Sequence, residues 1–360
     1  MKILCVIDSL IQGGAQRQLI GLALGFKEKG HEVSFLTYHN IIFFKHLLDN
    51  SEITLTCLEE PNYLIRLLRI RRFIRNGKYD VVLSFLEASG FICEIAGFPI
   101  RKWKLVVSER STNPNIIKSF KLKAYRWFHI LSDYVVANSF ANMQLVKTIN
   151  PLLSESKCKV IYNTIDFNIW KPSLDYTPRK GGKLKIIIAA RDHPYKNLNG
   201  LLDALTYLNQ DERAELNIEW YGIDKVDQLQ KENSKISEHH LQNVISLFSA
   251  TTEMIRITQD SDVVALFSFY EGFPNTICEG MACSKTVISS SVSDLPIFLS
   301  GNKNLLCDPY DPISIANTLR YVIRLKNEEL IQMGNENRKI AEIYFNKEDI
   351  ISQYLMLFSN

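Results

Sequence analysis

The sequence lacks several patterns that identify a class of protein on their own. It has no run of about 18 uncharged apolar residues, so no membrane-spanning helix is expected. Its seven cysteines form no C-x-x-C pair, which argues against a zinc site and favours a reducing compartment. Neither H-E-x-x-H nor G-x-S-x-G occurs, so neither a zinc protease nor an α/β-hydrolase is indicated. The apolar stretch at the N-terminus is too short for a signal peptide, and a cytoplasmic protein is expected.

The chain is long and apolar enough for two domains. Its 360 residues exceed the ~100–200 usual for one domain, and 46% of them are hydrophobic. This composition excludes disordered, collagen-like and disulfide-scaffold proteins. Two sizeable cores are therefore expected.

Charge is unevenly distributed along the chain. Residues 1–180 contain 25 Lys and Arg against 15 Asp and Glu, a net charge of +10. Residues 181–360 contain 17 against 24, a net charge of −7. The basic half suits a polyanion, and nucleic acid, anionic lipid and a phosphorylated substrate all fit that description. No recognised nucleic-acid-binding motif is present, so no nucleic-acid partner is predicted.

Strand-length apolar runs alternate with helix-length segments throughout the chain. Eleven strands are predicted, over residues 3–7, 32–36, 81–85, 105–107, 134–137, 159–161, 184–189, 217–220, 244–247, 263–267 and 286–289. Runs that are apolar on both faces indicate parallel sheets covered by helices on each side. A polar break rich in Pro and Gly, over 171–182, divides the series where the charge changes sign.

This order of elements predicts an α/β fold with two doubly wound, Rossmann-like domains that face each other across a cleft. The N-terminal domain is placed at 1–170, the linker at 171–182 and the C-terminal domain at 183–345. Residues 346–360 are predicted to form a final helix with enough apolar side chains to dock. The N-terminal domain is one candidate surface for that docking.

The loop after the first strand contains Gly13-Gly14 ahead of a helix predicted from about residue 15. Glycine lets a ligand approach the backbone N–H groups of a helix N-terminus. The pattern is not G-x-G-x-x-G, and no acidic residue follows about 20 positions later, so a dinucleotide site is disfavoured. A tight turn and a ligand-binding loop both stay open for this pair.

A second strand-to-helix loop, after the strand at 184–189, contains Arg191 and Lys196, and Asn197 is placed to cap the helix that follows. A planar guanidinium, a compact ammonium and a helix N-terminus together can bind a diphosphate. The alternative is a pair of solvated loop cations.

The segment over 268–282 contains two carboxylates with different predicted surroundings. Glu271 lies in the loop after the strand at 263–267, and Glu279 lies one turn inside the next helix. One can orient hydroxyls of a reacting sugar while the other accepts a ribose diol. The alternatives are an exposed loop acid for Glu271 and a capping box, formed by Thr276 and Glu279, for the second.

Asp260-Ser261-Asp262 has the spacing of a D-x-D metal motif. It precedes its strand, whereas ligands of parallel sheets gather at the carboxyl ends of strands. A structural role is therefore predicted, and no metal site is assigned.

These segments, in this order, resemble the retaining glycosyltransferases of family 4, which have the GT-B fold. The E-x7-E motif over Glu271 to Glu279 is the most diagnostic element, and Arg191 and Lys196 match the family's phosphate-binding pair. The segment over 161–166 is similar to the family's I-P-N-G-I-D. The first strand, the Gly-Gly loop and the helix that follows, up to residues 30–33, resemble the N-terminal segment of the family. The resemblance covers nearly the whole chain.

The resemblance implies a role for each matched residue. Glu271 would contact the transferred sugar, and Arg191 and Lys196 would balance the charge of the leaving diphosphate as further catalytic residues. It also implies no cofactor, no metal, and same-face attack in which the leaving phosphate helps to deprotonate the acceptor.

The remaining donor contacts follow from the same resemblance. Glu279 would hold the nucleotide ribose, and the backbone at Gly14, Asn275 and Thr276 would close around the donor phosphates. Gly280 stands where the family usually has Ala, so the helix is expected to pack differently there.

Ser108-Glu109-Arg110 follows the strand predicted at 105–107 and resembles a variant found in some members. Contact of Glu109 and Arg110 with the acceptor or the donor sugar is one interpretation. A structural role for this acid and base is the other.

The basic N-terminal domain has its cations in three groups that could face an anionic membrane. These are Arg66, Arg69, Arg71, Arg72, Arg75 and Lys78, then Arg101, Lys102 and Lys104, then Lys118, Lys121, Lys123 and Arg126. Within the last group an apolar stripe at helical spacing, including Phe120 and Trp127, is expected to face the core. Peripheral attachment to the cytoplasmic face of a membrane is predicted.

The function predicted is transfer of a hexose or N-acetylhexosamine from a nucleotide sugar to a lipid-linked saccharide, in polysaccharide or glycolipid synthesis. UDP is preferred over GDP on family frequency. Two alternatives stay open: a sugar-nucleotide epimerase on the same fold, and a catalytically silent binding protein. An epimerase would not release a nucleoside diphosphate together with a glycosylated acceptor.

Overall fold

A computed structural model describes residues 1–359 and divides them into two compact units. The first unit comprises residues 1–164 and 347–359, and the second comprises residues 165–346. Each unit contains one parallel sheet with helices on both faces. The predicted α/β fold with two doubly wound domains is confirmed.

The sheet of the first unit has seven strands in the order β3-β2-β1-β4-β5-β6-β7. They are β1 (Lys2–Val6), β2 (Glu32–Thr37), β3 (Thr54–Cys57), β4 (Val81–Phe85), β5 (Lys104–Glu109), β6 (Tyr134–Ala137) and β7 (Cys158–Val160). Its helices are α1 (Gly14–Glu28), α2 (Tyr63–Asn76), α3 (Glu87–Gly97), α4 (Asn115–Lys118), α5 (Phe120–Trp127) and α6 (Phe140–Ile149), with α15 (Lys347–Ser359) from the C-terminus.

The sheet of the second unit has six strands in the order β10-β9-β8-β11-β12-β13. They are β8 (Leu184–Ala189), β9 (Leu216–Tyr221), β10 (Ile245–Phe248), β11 (Val263–Leu266), β12 (Thr286–Ser290) and β13 (Leu306–Cys307). Its helices are α7 (Leu198–Thr206), α8 (Gln210–Ala214), α9 (Val226–Glu238), α10 (Met254–Gln259), α11 (Asn275–Ala282), α12 (Leu295–Phe298), α13 (Pro312–Arg324) and α14 (Asn327–Tyr344).

All eleven predicted strands form, and two further strands lie at sheet edges. The first, β3, is only partly buried, and β13 has two residues, so neither produces a strong apolar run. An edge strand has a neighbour on one side alone, and it needs less apolar surface than a central strand.

Strand β1 shows how one sheet supports two cores. Ile3 and Cys5 point to one face, into a cluster that contains Phe26 of α1. Leu4 and Val6 point to the opposite face, into a cluster with residues of α2. Both faces are therefore covered, as a continuous apolar strand requires.

Helix α15 packs on α1 within the first unit. Phe26 contacts the rings of Tyr354 and Phe358 edge-on, at centroid distances of 6.2 and 5.3 Å. Lys29 and Glu348 form an ion pair of 2.6 Å at the rim of this contact. The last helix of the chain thus completes the core of the unit formed by the first 164 residues.

In the second unit, α11 lies unusually close to the sheet at Gly280. A Cβ atom at Gly280 would meet Cγ2 of Val264 at 2.7 Å, so alanine would require one element to move.

The polar segment over 171–182 belongs to the second unit. Asp262 accepts hydrogen bonds from the Tyr176 hydroxyl and the Arg179 backbone N–H, each at 3.0 Å, and from the Lys185 N–H at 2.8 Å. The structural role predicted for the D-x-D segment is therefore confirmed at Asp262. No helix within residues 1–359 is both long and apolar enough to cross a bilayer.

Candidate active site

The candidate site of the second unit lies at the carboxyl ends of β8 and β11. These strands are neighbours in the sheet, and the chain leaves them toward opposite sides of the sheet order. Such a switch point leaves a crevice between the two strand-to-helix loops, and ligands of doubly wound sheets bind there.

The loop after β8 carries Arg191 and Lys196 and ends at a well-defined helix cap. Asn197 has left-handed backbone geometry (φ 64°), and its side chain accepts a hydrogen bond of 3.1 Å from the Gly200 N–H. Its amide also donates to the Pro309 carbonyl at 2.8 Å. The predicted cap at Asn197 is confirmed, and it fixes the position of Lys196 next to it.

The other end of this loop is held by the end of β9. The Asp192 N–H donates to the Gly222 carbonyl at 3.0 Å. Gly222 has a φ of 121°, and a Cβ there would lie 2.5 Å from the Ala190 carbonyl oxygen. Glycine is needed for this approach, and the side chain of Arg191, between these contacts, is exposed.

The loops after β8 and β11 are joined to each other. The Phe269 N–H donates to the Tyr195 carbonyl at 2.8 Å. The rings of Tyr195 and Tyr270 stack at a centroid distance of 4.9 Å. One backbone hydrogen bond and one ring pair thus hold the two loops in register.

This register brings Lys196 and Glu271 together. Lys196 Nζ lies 2.5 Å from Glu271 Oε1, and the two side chains are 14% and 12% exposed. The ammonium also lies 4.9 Å from the centre of the Tyr195 ring. The pair is largely buried, so a ligand can take the ammonium from Glu271 only if it brings a negative charge of its own.

Helix α11 begins beside this pair without a side-chain cap. Pro274 is its N-cap residue and provides no side-chain hydrogen bond, while the Asn275 N–H donates to the Phe273 carbonyl at 3.0 Å. The positive end of the helix dipole can therefore attract an anionic ligand.

The alternative interpretation of Thr276 and Glu279 as a capping box is wrong. Helix α11 begins at Asn275, so Thr276 is already helical, and its hydroxyl donates to the Ala189 carbonyl at 3.1 Å. This bond ties the helix to the end of β8. Glu279 lies one turn further along and is half-buried.

Gly14 is the first residue of α1 in the first unit, and it is exposed. The N-cap, Gly13, provides no side-chain hydrogen bond, and its backbone is extended. The helix predicted from about residue 15 is confirmed, and its first turn lacks a side-chain cap.

Glu109 is the last residue of β5. The strand therefore ends two residues later than the predicted end at residue 107. Glu109 is buried, with Oε2 2.5 Å from Arg126 and Oε1 3.0 Å from His129. The other nitrogen of His129 lies 2.8 Å from buried Glu94. Both carboxylate oxygens of Glu109 are therefore engaged inside the first unit.

The two carboxylates determine the charge of His129. Burial alone would lower the pKa of His129, but Glu94 and Glu109 raise it to about 9. Burial also acts on Glu109, but Arg126 and His129 lower the pKa of that carboxyl. The sequence signalled none of these partners, because Glu94, Arg126 and His129 come from separate helical segments.

Several cations assigned to the surface of the N-terminal half bind groups of the first unit itself, although Arg75 among them is exposed. Arg71 and Arg75 donate to the Ala96 carbonyl at the C-terminus of α3, at 2.9 and 3.1 Å. Arg101 pairs with Asp133 at 2.8 Å. Arg126 is fully buried, so the cationic surface is smaller than the composition suggested.

The apolar stripe that begins at Phe120 of α5 was expected to face the core; this is wrong for Phe120 and Trp127, whereas Phe128 is half-buried and contacts Phe91 at 4.9 Å. Phe120 is 75% exposed and Trp127 is 43% exposed, and their rings contact each other at 5.7 Å. The buried side chains of this helix are Tyr125 and Arg126. Arg126, which pairs with Glu109, occupies the inner face of this helix together with Tyr125.

Within residues 1–359, no group of three His, Cys, Asp or Glu side chains has the arrangement of a metal site. The cations at the switch point, Arg191 and Lys196, are the groups there that could balance a ligand's negative charge.

Two family models match this chain. Residues 12–168 match the model described as glycosyltransferase family 4, and residues 175–340 match glycosyl transferases group 1. Together they cover both units and every residue assigned to the candidate site.

Curated relatives match along nearly the whole length. An α-1,4-N-acetyl-D-galactosaminyltransferase of Campylobacter jejuni, named for an undecaprenyl-diphosphate-linked GalNAc acceptor, is 25% identical over 97% of each chain. The N-acetyl-α-D-glucosaminyl L-malate synthase of Bacillus anthracis is 23% identical over 94% of this chain and 92% of its own.

Solved structures share the fold. Anabaena HepE in complex with UDP and glucose superposes with a TM-score of 0.86 at 20% identity, covering 100% of this chain and 99% of its own. A glycosyltransferase of Rickettsia africae has a TM-score of 0.82 at 21% identity, with 99% and 97% covered.

Proposed function

Because the chain belongs to the family 4 glycosyltransferases, with their GT-B fold, we propose a specific transfer reaction for it. The enzyme moves a hexose or N-acetylhexosamine from a nucleotide sugar, preferably a UDP-sugar, to a lipid-linked saccharide with retention of configuration. The Campylobacter relative's name, with its polyprenyl-linked acceptor, supports the acceptor class. The UDP bound to HepE supports the donor class.

The observation that carries this proposal is the Lys196–Glu271 ion pair at the switch point. An incoming diphosphate competes with Glu271 for the ammonium and also attracts the exposed guanidinium of Arg191. Once Lys196 turns to the phosphate, the carboxylate of Glu271 is free to accept hydrogen bonds from hydroxyls of the donor sugar. The pair therefore positions both groups before the donor arrives.

The uncapped first turn of α11 supplies the rest of the donor site. The positive end of α11, at Asn275 and Thr276, attracts the donor phosphates, with the Asn275 N–H itself held by the Phe273 carbonyl at 3.0 Å, and Glu279 binds the ribose. Gly14 of the first unit stays a predicted phosphate contact, because it begins a helix whose N-cap residue provides no side-chain hydrogen bond.

The chemical step needs a stabilised diphosphate and an oxocarbenium-like sugar. The acceptor hydroxyl attacks C1 from the face that the diphosphate leaves, the C1–O bond to phosphate breaks, and the leaving phosphate oxygen takes the acceptor proton. Fixed charges of Arg191 and Lys196 stabilise the negative charge that develops on that phosphate. We propose that these cations act in place of a metal, and activity should then survive a chelator.

The acceptor class leads to a proposal for attachment to a membrane surface. On α2, Leu64 is 68% and Leu68 is 63% exposed, and Arg72 is exposed beside them. On α5, Phe120 is exposed together with Lys121. Apolar side chains among cations suit the interface of an anionic bilayer, where each cation contributes about 1 kcal/mol.

The experiment for the transfer reaction is a panel of nucleotide sugars tested with lipid-linked saccharides. Products are analysed for nucleoside diphosphate, glycosylated acceptor and the anomeric configuration of the new bond. Lys196→Ala should abolish transfer, while Lys185→Ala should leave it unchanged. Lys185 is a matched control, because it pairs with Glu219 at 3.1 Å in the same unit.

Two results would contradict the proposal. Near-normal turnover in Lys196→Ala would remove the diphosphate role of this lysine. Conversion of one nucleotide sugar into another, with no glycosylated acceptor and no free diphosphate, would identify an epimerase.

Attachment to the membrane is tested by flotation with vesicles. We expect binding to phosphatidylglycerol vesicles, weaker binding to phosphatidylcholine, and loss of binding in a Leu64→Ser, Phe120→Ser double variant. Equal binding of the double variant and the wild type would contradict the assignment of this surface.

A further inference from the structure

Arg110 lies at the carboxyl edge of the first unit's sheet, directly after β5. Its guanidinium lies over the Phe85 ring at 3.9 Å from the centroid. Nη1 donates to Asn163 Oδ1 at 2.7 Å, and Nη2 donates to the Tyr354 hydroxyl at 2.6 Å. The side chain is therefore held in one position by an amide, a phenol and a ring.

None of these partners carries a negative charge. In the part of the chain that the structure describes, Arg110 forms no ion pair within 4 Å. The adjacent carboxylate, Glu109, is committed to Arg126 and His129. Arg110 is thus a largely desolvated cation without a counter-charge, which is an unfavourable state unless something else supplies one.

The loop that contains Arg110 also has hydrogen-bonding groups without partners. A guanidinium has five N–H groups, and only two of those of Arg110 are used. Nε of Arg110 and Oγ1 of Thr112, two residues later, are buried without a hydrogen-bond partner among the described residues. Two orphaned polar atoms in one loop point to a missing partner, because buried polar atoms are nearly always paired.

We propose that Arg110 is the anchor of an oxyanion-binding site that takes a phosphate or diphosphate group of a substrate. The planar fork of the guanidinium suits two phosphate oxygens, and the Thr112 hydroxyl can donate to a third. Asn163 and Tyr354 act as positioning residues, because they orient the fork without neutralising it. Ligands of doubly wound sheets gather at this carboxyl edge.

This site deepens the proposed transfer reaction and rests on it for the identity of the substrate. Both substrates of that reaction carry phosphate: the nucleotide sugar and the lipid diphosphate of the acceptor. The chemistry at Arg110 is the same for either source, so binding experiments have to separate them.

The test measures binding of two probes, UDP and farnesyl diphosphate, to the full chain by calorimetry. Arg110→Gln should weaken the affinity for at least one probe by about 10-fold or more, which is the loss expected when a charged hydrogen-bond donor is removed. Loss confined to UDP assigns the site to the donor, and loss confined to farnesyl diphosphate assigns it to the acceptor. Arg110→Lys, which keeps the charge, should fall between the wild type and Arg110→Gln.

Tyr354→Phe is the control, since it removes one contact of the guanidinium and leaves its charge in place. Unchanged affinities for both probes in Arg110→Gln would overturn the proposal. So would an equal loss in Tyr354→Phe, because Arg110 would then only anchor α15. If Arg110→Gln does not fold, the comparison of Arg110→Lys with Tyr354→Phe decides in the same way.

Failure of this site and failure of the proposed reaction are distinguishable. UDP binding that depends on Lys196 but not on Arg110 would retain the reaction and reject the site. Binding of farnesyl diphosphate that depends on Arg110, without any binding of UDP, would retain the site and reject the donor assignment.

Discussion

Glu109 and Glu271 are the same kind of residue in the same kind of place, with opposite surroundings. Each lies at or just after the carboxyl end of a parallel strand, and each pairs with a cation at 2.5 Å. Glu109 is buried, and both of its oxygens are engaged by Arg126 and His129. Glu271 lies in a loop and pairs with Lys196 alone among the ion pairs that the described chain forms.

The difference lies in how easily each ion pair can be exchanged. Opening the Glu109 network would leave charges unpaired in the interior of the first unit, at a cost of several kcal/mol. Exchanging Lys196 from Glu271 to a phosphate replaces one charged partner by another, so the ammonium is never left unpaired. A carboxylate at a strand end is therefore available for chemistry only where its partner can be displaced.

The largest expected effect concerns catalysis. Glu271→Ala should reduce sugar transfer by at least about 1,000-fold, because the reacting sugar loses a fixed polar contact. The variant should still fold, with a lower melting temperature because the largely buried Lys196 loses its partner. Steady-state kinetics and a thermal melt check both halves of this prediction.

The control for this variant is Glu219→Ala, which removes the partner of Lys185 in the same unit. An equal loss of transfer in both variants would mean that Glu271 has no special position.

The next effect concerns stability. Glu109→Gln should lower the free energy of unfolding by about 3–4 kcal/mol, because buried Arg126 loses its partner at 2.5 Å and His129 keeps only Glu94. Urea denaturation measures it. Glu32→Gln, which breaks the exposed pair with Lys2, should cost less than about 1 kcal/mol. An unchanged free energy of unfolding in Glu109→Gln would contradict the structural role of this network.

The same network predicts a pH dependence. Because the pKa of His129 is raised from 6.5 to about 9, its pairing stabilises the fold fully below pH 6.5. That contribution, on the order of 3 kcal/mol, is lost as the pH rises toward 9. His129→Gln should abolish this part of the slope in unfolding experiments between pH 6 and 9. An unchanged slope would contradict the charged state assigned to the imidazole.

The smallest effect comes from a buried lysine of the second unit. Lys285 is 1% exposed, its ammonium has no hydrogen-bond partner among the described residues, and it lies over the Tyr176 ring. Burial lowers its pKa to about 8, so the fold becomes more stable as the pH rises from 8 to 10.5.

Lys285→Met should therefore raise the free energy of unfolding at pH 7 by about 1–2 kcal/mol. The gain should shrink in alkaline solution, where the lysine is already neutral. Destabilisation at pH 7 would show that the contact with Tyr176 outweighs the cost of the buried charge.

Much of the fold could be predicted from the sequence, because central parallel strands are apolar on both faces. The eleven predicted strands have this property, whereas the partly buried β3 and the two-residue β13 do not. Asn197 could be recognised as a cap because its role is local, and the contact confirms it. The capping role considered for Thr276 was wrong because its hydroxyl donates to the carbonyl of Ala189, which is distant in sequence.

The polar network of the first unit could not be predicted from the sequence, because its contacts also join residues that are distant in the chain. Glu94, Glu109 and His129 come from different elements, and no spacing connects them. The exposure of Phe120 and Trp127 was not predicted either, because nothing in the sequence indicated that Arg126 is buried on the inner face of α5. Residue types at strand ends identified Glu271 and Lys196 as candidates, but only the folded loops give their separation.

The most direct measurement of the central claim is the position of the diphosphate in a crystal of the full chain grown with UDP. The account predicts phosphate oxygens within about 3 Å of Lys196 Nζ and of the first turn of α11, with the Lys196–Glu271 contact opened. A diphosphate bound elsewhere, with that ion pair still closed, would contradict it.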